Sequence, residues 1–316
     1  MRYRVVFFGT PEFATASLQA LLAGPDEIVG AVCQPDKPSG RGHHLQAPPV
    51  KRLAEQRGVP VAQPLKVKTD ELPTTVRTWA PDLAVVAAYG RILPSAVLAI
   101  PRLGCINVHA SLLPKYRGAA PIQWALLRGE TVTGVTIMCM NERMDEGDIL
   151  LQRATPIGAD ETYGMLQERL AALGAEALLD ALGELHAGTL RATPQDHAAA
   201  TYAPMIGKQD GAVDWTRAAA EIACQVRAFN PWPSALTMLG RRLLKIHRAR
   251  VLAGETGAPP GTIVAIGHSI RVATGSGLLD LEEVQLEGKR ALPAPEFARG
   301  AGLAVGDRLG AASGHD

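Results

Sequence analysis

Cysteine is scarce in this sequence. The 316 residues hold four, Cys33, Cys105, Cys139 and Cys224, each standing alone. With no CxxC pair and no histidine at zinc-ligand spacing, neither a disulfide framework nor a metal centre is expected to organise the fold. The four read as reduced core residues. Long apolar runs are missing too: no uncharged stretch reaches the roughly 18 residues of a membrane span. The basic opening Met1-Arg2-Tyr3-Arg4 precedes only Val5–Phe8 before Gly9-Thr10-Pro11, too short a run for a signal peptide. A cytoplasmic location is therefore expected, with no membrane contact and no obligate protein partner implied.

Charge of one sign is also lacking. The net charge is +1, with 19 Lys+Arg against 20 Asp+Glu in residues 1–207 and 13 against 11 in residues 208–316. Such a chain has little long-range steering field, so any hold on a polyanion must come from local patches. Glycine is missing where it would matter most for a dinucleotide. The first βα turn offers Gly9 alone, not G-x-G-x-x-G, which argues against a dinucleotide-binding oxidoreductase.

What is present is a globular composition, 47% hydrophobic and 20% charged, at a length that suits two domains. From Tyr3 to about Thr136 short apolar runs alternate with helical periods, the pattern of a mostly parallel sheet with helices on both faces. Strands are expected over Arg4–Phe8, Ile28–Cys33, Val59–Gln63, Leu83–Ala88, Cys105–His109 and Val135–Met140. Helices are expected after Thr10, as N-cap with Pro11 at N1, and over Pro49–Arg57, Glu71–Trp79, Ala119–Arg128 and Tyr163 to about Leu185. Beyond Gly188 the chain turns polar and irregular. One further helix, about Arg217–Phe229, then precedes short strands near Leu243–Leu252, Gly261–Ile266, Ile270–Thr274 and Leu278–Val284, as in a small β-barrel.

The segment Cys105-Ile-Asn-Val-His-Ala-Ser-Leu-Leu-Pro-Lys-Tyr-Arg-Gly118 is the richest in chemistry. A strand period of two puts Asn107 and His109 on one face. An amide donor and an imidazole then project together at the carboxyl end of a sheet strand, where open α/β sheets bind ligands and where two donors suit a developing oxyanion. Taken alone, an N-x-H is better explained by ordinary polar residues ending a strand. The later loop Met144-Asp-Glu-Gly-Asp-Ile149 supplies carboxylates that can come beside the imidazole, and an Asp accepting from a His fixes its tautomer.

The strings FFGTPEFA, QPDKPSGRG, APPVK, NVHASLLPKYRGAAPIQWAL, TGVTIMCM, MDEGDIL, DGAVDW and NPWPSA resemble the folate-dependent formyltransferase family over nearly the whole chain. The central string alone suits the wider family, including enzymes acting on glycinamide ribonucleotide or amino sugar nucleotides. The flanking strings narrow the resemblance to the branch that formylates initiator methionyl-tRNA for translation initiation. The resemblance implies a Rossmann-like catalytic domain over residues 1–189 that takes 10-formyltetrahydrofolate as co-substrate. It implies a linker over 190–208 and an OB-like, tRNA-binding barrel over 209–316. It makes Asn107, His109 and Asp145 catalytic, makes Ser111, Leu112, Leu113 and Pro114 the folate-contact stretch, and leaves Asp148 structural.

By the same resemblance the loop Asp36–Leu45 enters the acceptor end of the tRNA, with Arg41 as main contact and Lys37 in support. His43 and His44 stand where the family often carries a fixed positive charge. In the second domain Arg241, Arg242 and Lys245 lie in a basic strand that suits RNA contact and a charge-protected strand edge equally well. Trp215, Phe229 and Trp232 are expected in the core.

Overall fold

A computed structural model describes residues 2–39 and 44–310. Its first unit comprises residues 1–121, 132–156 and 167–204, and its second comprises 122–131, 157–166 and 205–316. The polar stretch after Gly188 thus belongs, as far as Pro204, to the first unit.

In chain order the elements are β1 (Arg4–Gly9), α1 (Glu12–Ala23), β2 (Glu27–Val32), β3 (Lys37–Ser39), β4 (His44–Gln46), α2 (Pro49–Gln56), β5 (Val61–Ala62), α3 (Glu71–Trp79), β6 (Leu83–Ala87), α4 (Ser95–Leu98), β7 (Cys105–His109), β8 (Arg117–Gly118) and α5 (Pro121–Leu127). There follow β9 (Val132–Cys139), β10 (Ile149–Pro156), α6 (Tyr163–Ala187), β11 (Tyr202–Ala203), α7 (Ala219–Ala228), β12 (Ala235–Leu239), β13 (Arg242–Leu252), β14 (Ile263–Ile266), β15 (Ile270–Ala273), β16 (Leu278–Leu286), β17 (Ala291–Pro293) and α8 (Ala294–Ala301).

The main sheet runs β10-β9-β7-β6-β1-β2-β5. Five strands from β5 to β7 are parallel, and β9 and β10 close that end antiparallel. Every residue of β6 is buried, and β1 is buried from Val5 onward. Continuous apolar strands of this kind need cover on both faces, which only crossover helices supply. On α6 the buried residues Leu170, Ala177, Leu178, Ala181 and Leu182 follow helical spacing. Gly174 lets that helix approach β7 closely, since a Cβ there would lie 2.8 Å from Val108 Cγ1.

At the first turn the structure departs from expectation. Pro11 is the N-cap residue and no side chain caps α1. The Thr10 hydroxyl instead donates to the Tyr89 carbonyl and accepts from the Gln34 amide, tying β1 to its neighbours.

In the second unit, strands run β12-β13-β16-β15-β14, with β17 beside β16. Leu309 bridges to Leu239 at one edge and Arg308 to Thr262 at the other, closing the sheet into a small barrel. Its core includes Ile222, Leu244, Ile246, Val272, Leu279 and Leu281. Trp215 is buried with its indole donating to Thr237, and Phe229 is buried as well. Trp232 is not: it is 47% exposed, in the turn between α7 and β12 where no strand alternation directs it inward.

Burial pushes the Cys33 thiol up to about 11 and the Cys105 thiol up to about 12. The thiolate is the reactive species, so both are expected to resist iodoacetamide at pH 8 in the native protein and to react once urea unfolds it. Mass mapping of native-state labelling checks this, and modification of either under native conditions would contradict the burial. No described helix is long and apolar enough to cross a membrane.

Candidate active site

Strand β7 lies between parallel β6 and antiparallel β9, with Asn107 opposite Val86 on one side and Met138 on the other. Sheet pairing fixes its backbone, so its side chains are aimed by the pleat and not by a loop. Asn107 is half-buried, and among the described residues its amide has no hydrogen-bond partner. His109, two residues on, is 5% exposed.

Both nitrogens of His109 face acceptors. Nε2 lies 3.0 Å from the Tyr116 carbonyl, which can only accept, so Nε2 carries a proton. Nδ1 lies 3.7 Å from Asp145 Oδ1, too far for a hydrogen bond but within ion-pair reach. The other Asp145 oxygen accepts from the Gly118 amide at 2.8 Å. Asp145 (φ +54°) and Tyr116 (φ +61°) both adopt the left-handed conformation, which non-glycine residues hold only where their surroundings over-determine it. Asp148 contributes its carbonyl to the Cys139 amide where β10 begins.

A buried polar network surrounds this pair. Arg117, 2% exposed, donates to Gln195 Oε1 through Nη2 (2.7 Å) and Nε (3.2 Å). Its Nη1 lies 3.5 Å from Glu146, and Nη2 also meets His197 Nδ1 at 3.1 Å. Gln195 Nε2 donates to the carbonyls of Asp145 (2.9 Å) and Gly147 (2.6 Å). None of these residues was singled out from the sequence. A buried arginine looks like any surface arginine until its partner, 78 residues away, is known.

Of the Ser111–Pro114 stretch, Ser111 and Leu113 are buried while Leu112 and Pro114 are partly exposed. The Ser111 hydroxyl donates to the Lys115 carbonyl at 2.6 Å, and Gln152 donates to the Leu113 carbonyl at 2.8 Å. The turn is thus held both from within, by Ser111, and from the neighbouring strand, by Gln152.

The segment after Asp36 forms a β3–β4 hairpin, with exposed Lys37 paired to Gln46. Arg41 and His43 lie outside the described residues. At the base of the hairpin, hydrogen bonds from Gln63 and from Lys51 hold the Asp36 carboxyl below the usual carboxylate range. In the second unit Arg241, Arg242 and Lys245 have no ion-pair partner among the described residues, whereas Arg248 and Arg250 share Glu282. No three described His, Cys, Asp or Glu residues are grouped so as to hold a metal ion.

An amide, an imidazole and a carboxylate gathered at the carboxyl end of a mostly parallel sheet, in a chain that continues into an antiparallel barrel, define an α/β group-transfer enzyme. A family model described as formyl transferase matches residues 1–182, and one for the formyl transferase C-terminal domain matches residues 205–302. The chain is 51% identical to the methionyl-tRNA formyltransferase of Geobacter sulfurreducens over 98% of its own length and 97% of that protein's. It is 50% identical to the methionyl-tRNA formyltransferase of Desulfotalea psychrophila over 94% and 93%. The chain belongs to the formyl transferase family, in its methionyl-tRNA formyltransferase branch.

Solved structures share the fold at low identity. The N-formyltransferase of Helicobacter canadensis, in complex with folinic acid and dTDP-3-aminofucose, aligns with TM-score 0.63 and 16% identity over 88% of this chain and 98% of that one. HypX of Aquifex aeolicus, in complex with tetrahydrofolic acid, aligns with TM-score 0.62 and 18% identity over 94% of this chain and 47% of that one.

Proposed function

We propose that this protein transfers the formyl group of 10-formyltetrahydrofolate to the α-amino group of initiator methionyl-tRNA, in the cytoplasm. The reading rests on the Asn107 amide, without a hydrogen-bond partner among the described residues, beside a histidine whose Nδ1 faces a carboxylate, in a chain half identical to methionyl-tRNA formyltransferases. The amine nitrogen attacks the formyl carbon and gives a tetrahedral oxyanion, which the Asn107 amide and a protonated His109 stabilise. Asp145 orients the ring and helps remove the proton the amine loses. Collapse breaks the bond from the formyl carbon to N10 of the folate, and N10 takes up one proton. The 3.7 Å gap between ring and carboxylate suits a site that tightens when substrate arrives.

Ser111–Pro114 would supply a preformed wall to the folate, through backbone groups and the exposed parts of Leu112 and Pro114. Residues 1–189 would carry the chemistry. Residues 209–316, joined through 190–208, would help hold the RNA, with Arg41 and Lys37 meeting the acceptor end. Incubation with 10-formyltetrahydrofolate and either methionyl-tRNA or a small amine such as glycinamide ribonucleotide or an amino sugar nucleotide tests the assignment. Formyl transfer to the charged tRNA is expected, and preferential formylation of the small amine overturns it.

Arg241 and Arg242, without an ion-pair partner among the described residues, give a second test. With Arg241 and Arg242 both replaced by alanine, the slope of log affinity against log salt should fall by about one to two counterions. Folate affinity should stay unchanged. Equal slopes for variant and wild type would remove this strand from the RNA surface.

A further inference from the structure

We propose that Gln195, seated by Arg117, is a positioning residue for the transfer reaction: it grips the backbone on both sides of Glu146 so that the Asp145 carboxylate stays against His109. The inference rests on the catalytic reading of Asp145 and His109 and deepens it.

The hydrogen-bond chemistry leaves Gln195 one orientation. A guanidinium can only donate and a carbonyl can only accept, so the side-chain oxygen must face Arg117 and the NH2 group must face the carbonyls of Asp145 and Gly147. Both amide protons are used. Among the described residues no other donor is paired with either carbonyl. The gripped residue is the one held at φ +54°, a conformation that needs outside support.

Arg117 occupies the complementary position. The residue before it, Tyr116, presents the carbonyl that accepts from His109 Nε2, and the residue after it, Gly118, presents the amide that donates to Asp145 Oδ2. The backbone around Arg117 therefore touches both members of the catalytic pair, and its side chain reaches, through Gln195, the backbone behind one of them. The contacts close a ring around the His109–Asp145 pair. Glu146 at 3.5 Å balances part of the buried guanidinium charge.

A network built only for stability would make a different prediction. Gln195→Met keeps the side-chain length and removes every hydrogen bond, and Gln195→Glu keeps the acceptor for Arg117 but removes the donors to the carbonyls. A displacement of about 1 Å at a reacting centre can cost roughly a hundredfold, so both variants should lose about 30- to 100-fold in kcat, with both KM values within about threefold of wild type. In the double variant Gln195→Met with Asp145→Asn, the rate should be no lower than in Asp145→Asn alone, because both changes disable one unit.

A measurement without turnover separates the clamp from the function. In wild type, Gln195→Met, Gln195→Glu and Asp145→Asn, the ring nitrogen resonances of His109 are recorded by NMR. Both Gln195 variants should move them in the direction Asp145→Asn does. A protein that fails to formylate methionyl-tRNA, yet shows those shifts, would sink the proposed function and keep the clamp. His109 resonances that stay at wild-type positions in both variants, or losses that multiply in the double variant, would overturn the clamp.

Discussion

Replacing Asn107 by alanine is expected to slow formyl transfer by about a hundredfold to a thousandfold, the usual cost of losing one oxyanion donor. The amide has no partner among the described residues, so its removal breaks no hydrogen bond and leaves the resting protein about as stable as before. Losing an interaction that is absent from the ground state and present in the transition state lowers kcat and leaves substrate binding alone. Single-turnover rates at saturating folate and methionyl-tRNA, with the melting temperature of the same preparation, measure both halves of the claim. A rate within about threefold of wild type would show that the oxyanion is held elsewhere.

A second large effect is expected from Gly147→Ala. The new Cβ would lie 2.8 Å from the Cys139 carbonyl carbon and closer still to its oxygen, so one backbone or the other has to move. Cys139 is paired in β9 and its amide is tied to the Asp148 carbonyl, so the loop carrying Asp145 is the part that must yield. Displacing it by about 1 Å should cost roughly a hundredfold in kcat. Unlike the Asn107 variant, it should also lower the melting temperature, because the carbonyl gripped by Gln195 moves as well. An alanine variant that turns over at the wild-type rate would show that the carboxylate's position is not critical.

Much of this arrangement was legible in the sequence wherever one short window carried the signal. The period-two pattern of Cys105–His109 placed Asn107 and His109 together, and α3 runs over Glu71–Trp79 as its apolar spacing predicts. The family resemblance carried Asp145, whose neighbourhood no local pattern specifies. Strand β10 was missed because the second half of Ile149–Pro156 exposes Gln152, Arg153, Ala154 and Pro156 at a sheet edge, without a sustained apolar run or a clean alternation. Strand β12 was missed because Ala235–Leu239 is short and follows directly on a proline-rich turn. Thr10 looked like a cap because threonine before proline suits that role locally, but a carbonyl 79 residues away takes its hydroxyl proton instead. Arg117 and Gln195 escaped for the same reason: what makes them buried and specific is a partner at long range.

The placement of Gln195 also bears on when the enzyme becomes competent during its own synthesis. The histidine is made first, the carboxylate 36 residues later, and the residue that grips the carboxylate's backbone 50 residues after that. At about 5–20 residues per second, a nascent chain carries His109 and Asp145 for roughly 2–10 s before Gln195 is polymerised. Since β11 must then pair with β8 to seat the segment around Arg117, a ribosome-bound chain ending at Ala187 holds every residue named for the chemistry but lacks the means to keep them in register. With the proposed clamp, competence arrives with the stretch that looked, by composition, like a mere connection.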